Sequence, residues 1–118
     1  MNQYNLRNHH VLYVREVRVS YLEKDDIVIS IKGTLGKVGI IYNDLPNTIP
    51  GPSLCILRPY ASSKIKPEFL LQYLRSYMGQ QMIKRSSQGG VIPFISIADL
   101  KNLNIPIPSL DEQNNAQK

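Results

Sequence analysis

Cysteine is nearly absent from this chain of 118 residues, which has Cys55 alone. A single cysteine cannot form a disulfide within the chain, and its apolar neighbours suit a small buried side chain. Long hydrophobic runs are also missing, whereas a helix needs about 20 apolar residues to cross a bilayer. The N-terminus has no apolar signal core. We therefore expect a cytoplasmic protein with no membrane association.

Residues that build catalytic and metal sites are sparse. The two histidines, His9 and His10, are adjacent and would point to opposite sides of a strand, and no cluster has metal-ligand spacing. Residues 33–37 are not a phosphate-binding P-loop, because Ile31 replaces the motif's first glycine and Val38 its serine or threonine. Nuclease and adenine-methylation motifs are missing too. We predict no catalytic residues, no metal and no cofactor, and an enzyme is the third-ranked interpretation.

Positive charge is what the chain does have, and it is concentrated in the middle. The sequence holds 14 basic and 9 acidic residues, for a net charge of +5. Residues 27–98 contain eight basic and two acidic residues, so their local charge is +6. A basic surface attracts anionic partners, most often nucleic acid. The alternative is that these lysines only keep a small domain in solution.

Hydrophobic periodicity predicts strands first and helices afterwards. Alternation after Val17 indicates a strand with one solvent-facing side. Residues 27–32 and 38–42 are typical of a hairpin closed by the glycine turn 33–37, and 53–58 of a third strand. The expected fold class is α+β, with a mostly antiparallel twisted sheet on which an amphipathic helix and short helices pack.

Apolar residues three and four apart predict one amphipathic helix from Pro67 to about Arg85. Gly79 should weaken this helix by about 1 kcal/mol relative to alanine. The predicted buried face consists of Phe69, Leu70, Tyr73, Leu74, Tyr77, Met78 and Met82.

Two cap patterns mark helices near the C-terminus. Ser96 with Asp99 predicts a short helix to about residue 102, and Ser109 with Glu112 predicts the start of another. The stretch before Ser96, residues 91–95, contains a proline and is predicted as an edge strand or no strand. Residues 103–108 carry two prolines and are predicted as an extended edge.

Two polar, basic loops form the candidate binding surface. At the glycine turn, lysines flank a threonine, and these side chains with the backbone amides suit a phosphate. In the loop after the helix, Arg85 and Gln88 are residue types that bind guanine and adenine edges. The alternative is that the second loop is a connector whose cations only complement a helix C-terminus. The candidate residues are Lys32, Thr34, Lys37, Lys84, Arg85, Ser87 and Gln88.

The order of segments resembles a known family. Residues 25–40, DDIVISIKGTLGKVGI, resemble the GDI-L-I-S-x-x-G-T-x-G-K segment of target recognition domains in specificity (S) subunits of type I restriction-modification systems. The end of the chain, LNIPIPSLDEQ, resembles the family's closing l-x-I-P-l-P-p-l-x-E-Q. No single piece is specific, but the family order is kept throughout. The later matching segments are 53–59, 65–76, 89–100 and 103–113.

This resemblance implies a fold like that of DNA methylase specificity domains and a non-catalytic function. Such a domain reads one half of a bipartite sequence in double-stranded DNA. It would direct the methylation subunit, and through it the restriction subunit, to that site. The family usually has more strands before the first matching segment. We therefore expect residues 1–118 to be a single recognition domain with a short N-terminal part, in which 109–118 begin a spacer helix.

An interaction protein is the alternative from a different class. The chain would then be a remnant of such a subunit without DNA binding, using its apolar edge at 103–108 to pair with another chain. A homodimer that mimics the two-domain subunit is one form of this alternative. Dimerisation without salt-dependent DNA binding would favour it.

Overall fold

The structure, a computed structural model, describes residues 5–7, 12–16, 22–44, 53–60 and 64–116, with side chains for 22–44, 53–60 and 64–114. These ranges contain strands and helices in an α+β arrangement, which confirms the predicted fold class. None of the helices found there is long and apolar enough to span a membrane. The strands are β1 (Asn5–Arg7), β2 (Leu12–Glu16), β3 (Ile27–Ser30), β4 (Val38–Ile40), β5 (Leu54–Pro59) and β6 (Ile105–Ile107). The helices are α1 (Pro67–Arg75), α2 (Tyr77–Ser86), α3 (Ile97–Lys101) and α4 (Leu110–Ala116).

The main sheet has the strand order β2-β5-β3-β4, and every neighbouring pair is antiparallel. The predicted hairpin is confirmed, with Ile27 opposite Ile40 across β3 and β4. The predicted third strand, β5, lies beside β3, so Ile29 is opposite Cys55. The alternation that begins at Val17 lies outside the described residues.

The core lies between this sheet and the helices. Every second residue of β3 and β5 is buried against α1, because strand side chains alternate between faces. Burying a leucine or isoleucine completely stabilises the fold by about 1.5–3 kcal/mol. Cys55 is fully buried, as predicted. The core residues from these elements are Ile27, Ile29, Cys55, Leu57, Phe69, Leu70, Leu71 and Leu74.

The prediction of one long helix was wrong, because the chain breaks at Ser76. This residue has an extended backbone, ends α1 and caps α2, where its Oγ accepts a hydrogen bond from the Gly79 N–H at 3.1 Å. The break resets the helical phase. Tyr77 and Met78, predicted to be buried, are therefore 76% and 64% exposed, and Ile83 is buried in their place.

Gly79 allows this break rather than weakening a helix. It is buried in the first turn of α2, where a Cβ would lie 2.0 Å from the carbonyl oxygen of Tyr73. Alanine at this position would collide with the backbone of α1, although it normally favours a helix. The sequence-based expectation for Gly79 is thus reversed by a contact between two helices.

The C-terminal elements follow the cap patterns. The Asp99 N–H donates to Ser96 Oγ at 3.0 Å, and Ser109 and Glu112 cap each other at 3.2 Å in both directions. The predicted extended edge contains β6, which pairs with β1, so that Asn5 lies opposite Ile107. The chain's own N-terminal strand therefore occupies one side of this edge. Residues 91–95 form no strand and make only isolated bridges at Phe94.

Two buried polar side chains join distant parts of the chain. Asp26, fully buried, accepts two hydrogen bonds from Arg58 at 2.6 and 2.9 Å and one from the Glu23 N–H, so it closes the charged turn before β3. These hydrogen bonds raise the pKa of Arg58, and desolvation by burial opposes them. The ion pair therefore joins the turn before β3 to β5, across 32 residues of sequence.

Gln113 anchors α4 to the start of α1. Its Oε1 accepts from the Lys66 N–H at 2.7 Å, and its Nε2 donates to the carbonyl oxygens of Lys64 and Pro108, each at 3.0 Å. The side chain is fully buried, so these three bonds offset the cost of removing an amide from water. They also fix the orientation of α4 relative to the start of α1.

Replacing Gly79 by alanine should destabilise the protein by about 1–3 kcal/mol, since the new methyl group has no room beside the Tyr73 carbonyl. Urea unfolding followed by circular dichroism measures this. The matched control is Gly89→Ala, because a Cβ there meets nothing within 4 Å. Equal stability of the two variants would contradict the proposed role of Gly79.

Candidate nucleic-acid interface

Ser30 holds the glycine turn in place. Its Oγ donates to the Thr34 carbonyl at 2.6 Å and accepts from the Lys37 N–H at 2.9 Å. The two glycines of the turn have φ values of 75° and 79°, in the left-handed region that favours glycine. Ser30 is not among the site residues predicted from the sequence, although a serine just before a glycine turn is a common local signal for side-chain to backbone hydrogen bonds. The turn therefore presents Lys32, Thr34 and Lys37, all exposed, on a rigid frame.

A second segment pairs with this turn and brings the other candidate loop beside it. The Gly33 N–H donates to the Pro93 carbonyl, and the Ile95 N–H donates to the Ile31 carbonyl, both at 2.9 Å. Phe94 then bridges to Lys32 on one side and to Gln88 on the other. Two loops that are far apart in the sequence are thus adjacent in the structure.

An open cleft of about 450 Å³ lies between the glycine turn and α2. Two of the predicted residues, Lys84 and Ser87, line it, and Gly33 of the first loop lines it from the other side. The sequence-predicted sites therefore share one surface in part. The other lining residues are Leu35, Gln80, Gln81, Ile83 and Pro93.

Gln80 lines the cleft and is not among the site residues predicted from the sequence. Its Nε2 donates to the Gly36 carbonyl at 3.0 Å and to the Leu74 carbonyl at 2.6 Å. It therefore connects the glycine turn to the break between α1 and α2. No local pattern marks this role, because both acceptors belong to other elements.

Arg75 is a second residue that the site prediction missed. Its Nη2 donates to the Val38 carbonyl at 2.9 Å, next to Lys37 at the start of β4. The glycine turn, the end of α1 and the end of α2 therefore present their cations from adjoining elements. We call Lys32, Lys37, Arg75 and Lys84 the basic strip. All four side chains are exposed.

Arg85 does not line the cleft, since it lies about 100° around α2 from Lys84. Its charge acts instead on Tyr73 of α1. Burial raises the pKa of the Tyr73 phenol, and the positive charge of Arg85 partly opposes that rise. Lys84 and Arg85 therefore face different parts of the surface.

The structure also supports the alternative interpretation of the second loop, in which its cations complement a helix C-terminus. Lys84 and Arg85 are in the last turn of α2, where cations complement the helix dipole. The Ser87 hydroxyl donates to the Lys84 carbonyl at 2.7 Å and so caps the helix. Gln88 Nε2 donates to Asp99 Oδ2 at 3.3 Å, which orients the amide beside α3.

The glycine turn offers side chains to an anion more than it offers backbone amides. The amides of Gly33, Gly36 and Lys37 already donate to carbonyl or hydroxyl oxygens of the protein. Phosphate contacts of this turn would then come from Lys32, Thr34 and Lys37 side chains. Across the described residues, no group of three His, Cys, Asp or Glu is placed to hold a metal ion. His9 and His10 lie outside those residues.

A family model described as "Type I restriction modification DNA specificity domain" matches residues 2–117. The chain belongs to this family. The resemblance found in its motifs is thereby confirmed. The specificity domain is 31% identical over 110 residues to the type I restriction enzyme EcoBI specificity subunit of Escherichia coli, covering 90% of this chain and 23% of that protein. It is 34% identical over 85 residues to the putative type I restriction enzyme MjaX specificity subunit of Methanocaldococcus jannaschii, covering 71% of this chain and 20% of that protein.

Solved structures with the same fold are specificity subunits. The type I restriction-modification S subunit from M. genitalium has a TM-score of 0.74 at 20% identity, covering 95% of this chain and 36% of that one. The HsdS subunit from Thermoanaerobacter tengcongensis has a TM-score of 0.69 at 18% identity, covering 96% of this chain and 35% of that one. The specificity domain thus spans only about a quarter of the length of the curated relatives and about a third of the length of the chains in these structures.

Replacing Ser30 by alanine should destabilise the specificity domain by about 1 kcal/mol, because the partly buried Lys37 N–H and Thr34 carbonyl lose their hydrogen-bond partner. The control is Ser53→Ala, which removes an exposed hydroxyl. Urea unfolding of both variants measures the difference. If the two variants unfold at the same urea concentration, Ser30 does not hold the turn.

Proposed function

We propose that the specificity domain binds double-stranded DNA through the basic strip and the two loops beside it, and reads one half of a bipartite target. The observation that carries this proposal is the meeting of the glycine turn and the α2 loop across one open cleft. Lys84 lines that cleft, and Lys32 is next to Gly33 on its opposite side. In a member of a DNA specificity family, such a surface fits the phosphate backbone and the base edges of a duplex.

The proposed contacts divide into two kinds. Lys32, Lys37 and Lys84 would contact phosphates, which positions the domain and makes binding salt-dependent. Thr34 and Ser87 add hydroxyls at the same two loops. Gln88, and Arg85 from the neighbouring side of α2 outside the cleft, are proposed for base edges, since both side chains can form two hydrogen bonds with a base. Gln88 keeps one N–H and its Oε1 for this purpose while the other N–H bonds Asp99.

The methylation and restriction subunits are proposed as partners because of the family to which the chain belongs. In the proposed complex, this domain supplies recognition, and the methylation and restriction subunits supply the chemistry. The domain itself would catalyse no reaction and would need no cofactor. Residues 1–118 would act as a single recognition domain, and α4, held by Gln113, would begin the spacer helix that docks the methylation subunit.

Pairing with another chain through residues 103–108 is not favoured. β6 already pairs with β1 along one side, and its Pro106 lacks an N–H group for a further ladder. Leu103 and Ile105 are buried in the core, so they are not offered to a partner.

Binding of labelled random-sequence duplex DNA should weaken steeply as salt concentration rises, because each phosphate contact releases counterions. Lys37→Ala should make this salt dependence shallower. The magnitude of the slope of log affinity against log salt concentration should fall by about 1. The control is Lys24→Ala, which removes the same charge from the turn at the far end of the hairpin. Fluorescence anisotropy measures both. Absence of binding at low salt, or equal slopes for the two variants, would contradict the proposed surface.

Arg85→Ala should reduce discrimination between duplexes selected for binding and unrelated duplexes by about tenfold, since a bidentate base contact contributes about 1–3 kcal/mol. Lys84→Ala should instead weaken both kinds of duplex alike. Competition binding with the two duplex sets measures the ratio. An equal loss on all sequences for Arg85→Ala would remove its base-reading role.

A further inference from the structure

The loop between Gln88 and Phe94 exposes apolar side chains where soluble domains usually carry polar ones. Val91 is fully exposed and Ile92 is 56% exposed, and Phe94 at the base of the loop is 42% exposed. The loop is framed by glycines on one side and Pro93 on the other, and Gly90 has a φ of 131°, a conformation that L side chains rarely adopt. A cluster of exposed apolar residues on one loop marks an interaction site.

The base of this loop is fixed to the proposed DNA-binding surface. Phe94 bridges Lys32 and Gln88, and residues that are opposite each other in a sheet project to the same face. Pro93 lines the cleft together with Lys84. The base of the apolar loop therefore lies beside Lys32 and close to Lys84 of the basic strip. Asp99 lies close to the base of the loop, where Gln88 Nε2 contacts its carboxylate.

The charges around the tip favour DNA over a protein occupant. A second copy of this chain that met the loop with the same face would bring cations against cations, which is unfavourable. Three side chains also fall far short of the roughly 800 Å² per partner that a stable protein interface buries. An apolar loop with cations at its base instead matches a groove whose two rims are phosphates and whose floor holds the bases.

We infer that Val91 and Ile92 enter the major groove and contact the 5-methyl groups of thymine, so that this loop discriminates bases by apolar contact. The C5-methyl group of thymine is the apolar feature that base edges present in the major groove, which is wide enough for such a strip. This inference rests on the proposed DNA binding, and it adds residues to the reading surface that sequence analysis did not consider.

The test uses the complete chain and duplexes in which uracil replaces thymine. A random duplex pool is first enriched for binding to the wild-type domain and then resynthesised with either base. Loss of one buried methyl contact should lower wild-type affinity about fourfold. The double variant V91S/I92S should bind thymine and uracil duplexes with equal affinity, close to that of the wild type for uracil duplexes. It lacks the side chains that contact the methyl group.

The matched control is Y77S/M78S, which removes two exposed apolar side chains from the start of α2, away from the loop. It should keep the wild-type preference for thymine. Thermal unfolding of both double variants should match the wild type, since the replaced side chains are exposed. Equal wild-type affinity for thymine and uracil duplexes overturns the inference, as does a V91S/I92S variant that retains the thymine preference.

The remaining outcomes separate this inference from the proposed function. Salt-dependent binding without enrichment of any sequence overturns base reading by the loop and leaves phosphate binding standing. V91S/I92S could also bind thymine and uracil duplexes more weakly than the wild type by the same factor. That result would indicate that the loop inserts between stacked base pairs, and it also overturns the methyl contact. No salt-dependent binding to any duplex overturns the proposed function itself.

Discussion

Two backbone hydrogen bonds, from Gly33 to Pro93 and from Ile95 to Ile31, hold the candidate DNA-binding face together. They attach the end of the hairpin to the segment that follows α2 and its loop. Together with the bond from Gln80 to the Gly36 carbonyl, they place the glycine turn and the second loop side by side. Because these bonds use main-chain atoms, the side chains between them can change without removing the frame. A recognition module benefits from this separation, since its target depends on the side chains and its fold does not.

Stability and proposed recognition also occupy different layers of the molecule. The inner faces of β3 and β5 pack against α1, and the fully buried Asp26 and Gln113 are each bonded to distant residues. The basic strip and the apolar tip lie outside this core and are exposed. Substitutions at exposed positions usually change stability little. The surface proposed to contact DNA can therefore be probed by mutation without unfolding the domain.

The sequence predicted the hairpin, the third strand and both serine caps, because each of these depends on residues close together in the chain. It failed at Ser76. The spacing of Tyr77 and Met78 continues the period of α1, so periodicity alone could not reveal that the chain turns there. The decisive contact is between Gly79 and the Tyr73 carbonyl, which exists only once both helices are packed. Arg75 and Gln80 were missed for the same reason, since their acceptors are Val38 and Gly36 on the hairpin.

The amino-acid sequence by itself determined the α+β class, the glycine turn with its two positive φ angles, the excess of cations in the middle and the family. These are properties of composition, local backbone preference and motif order. The tertiary structure alone decided that Lys84 lines the cleft while Arg85 lies toward Tyr73. It also decided that β1 pairs with β6 and that the base of an exposed apolar loop lies beside Lys32. The physical reason is that these features depend on long-range strand pairing and helix packing, which bring together residues that no local pattern connects.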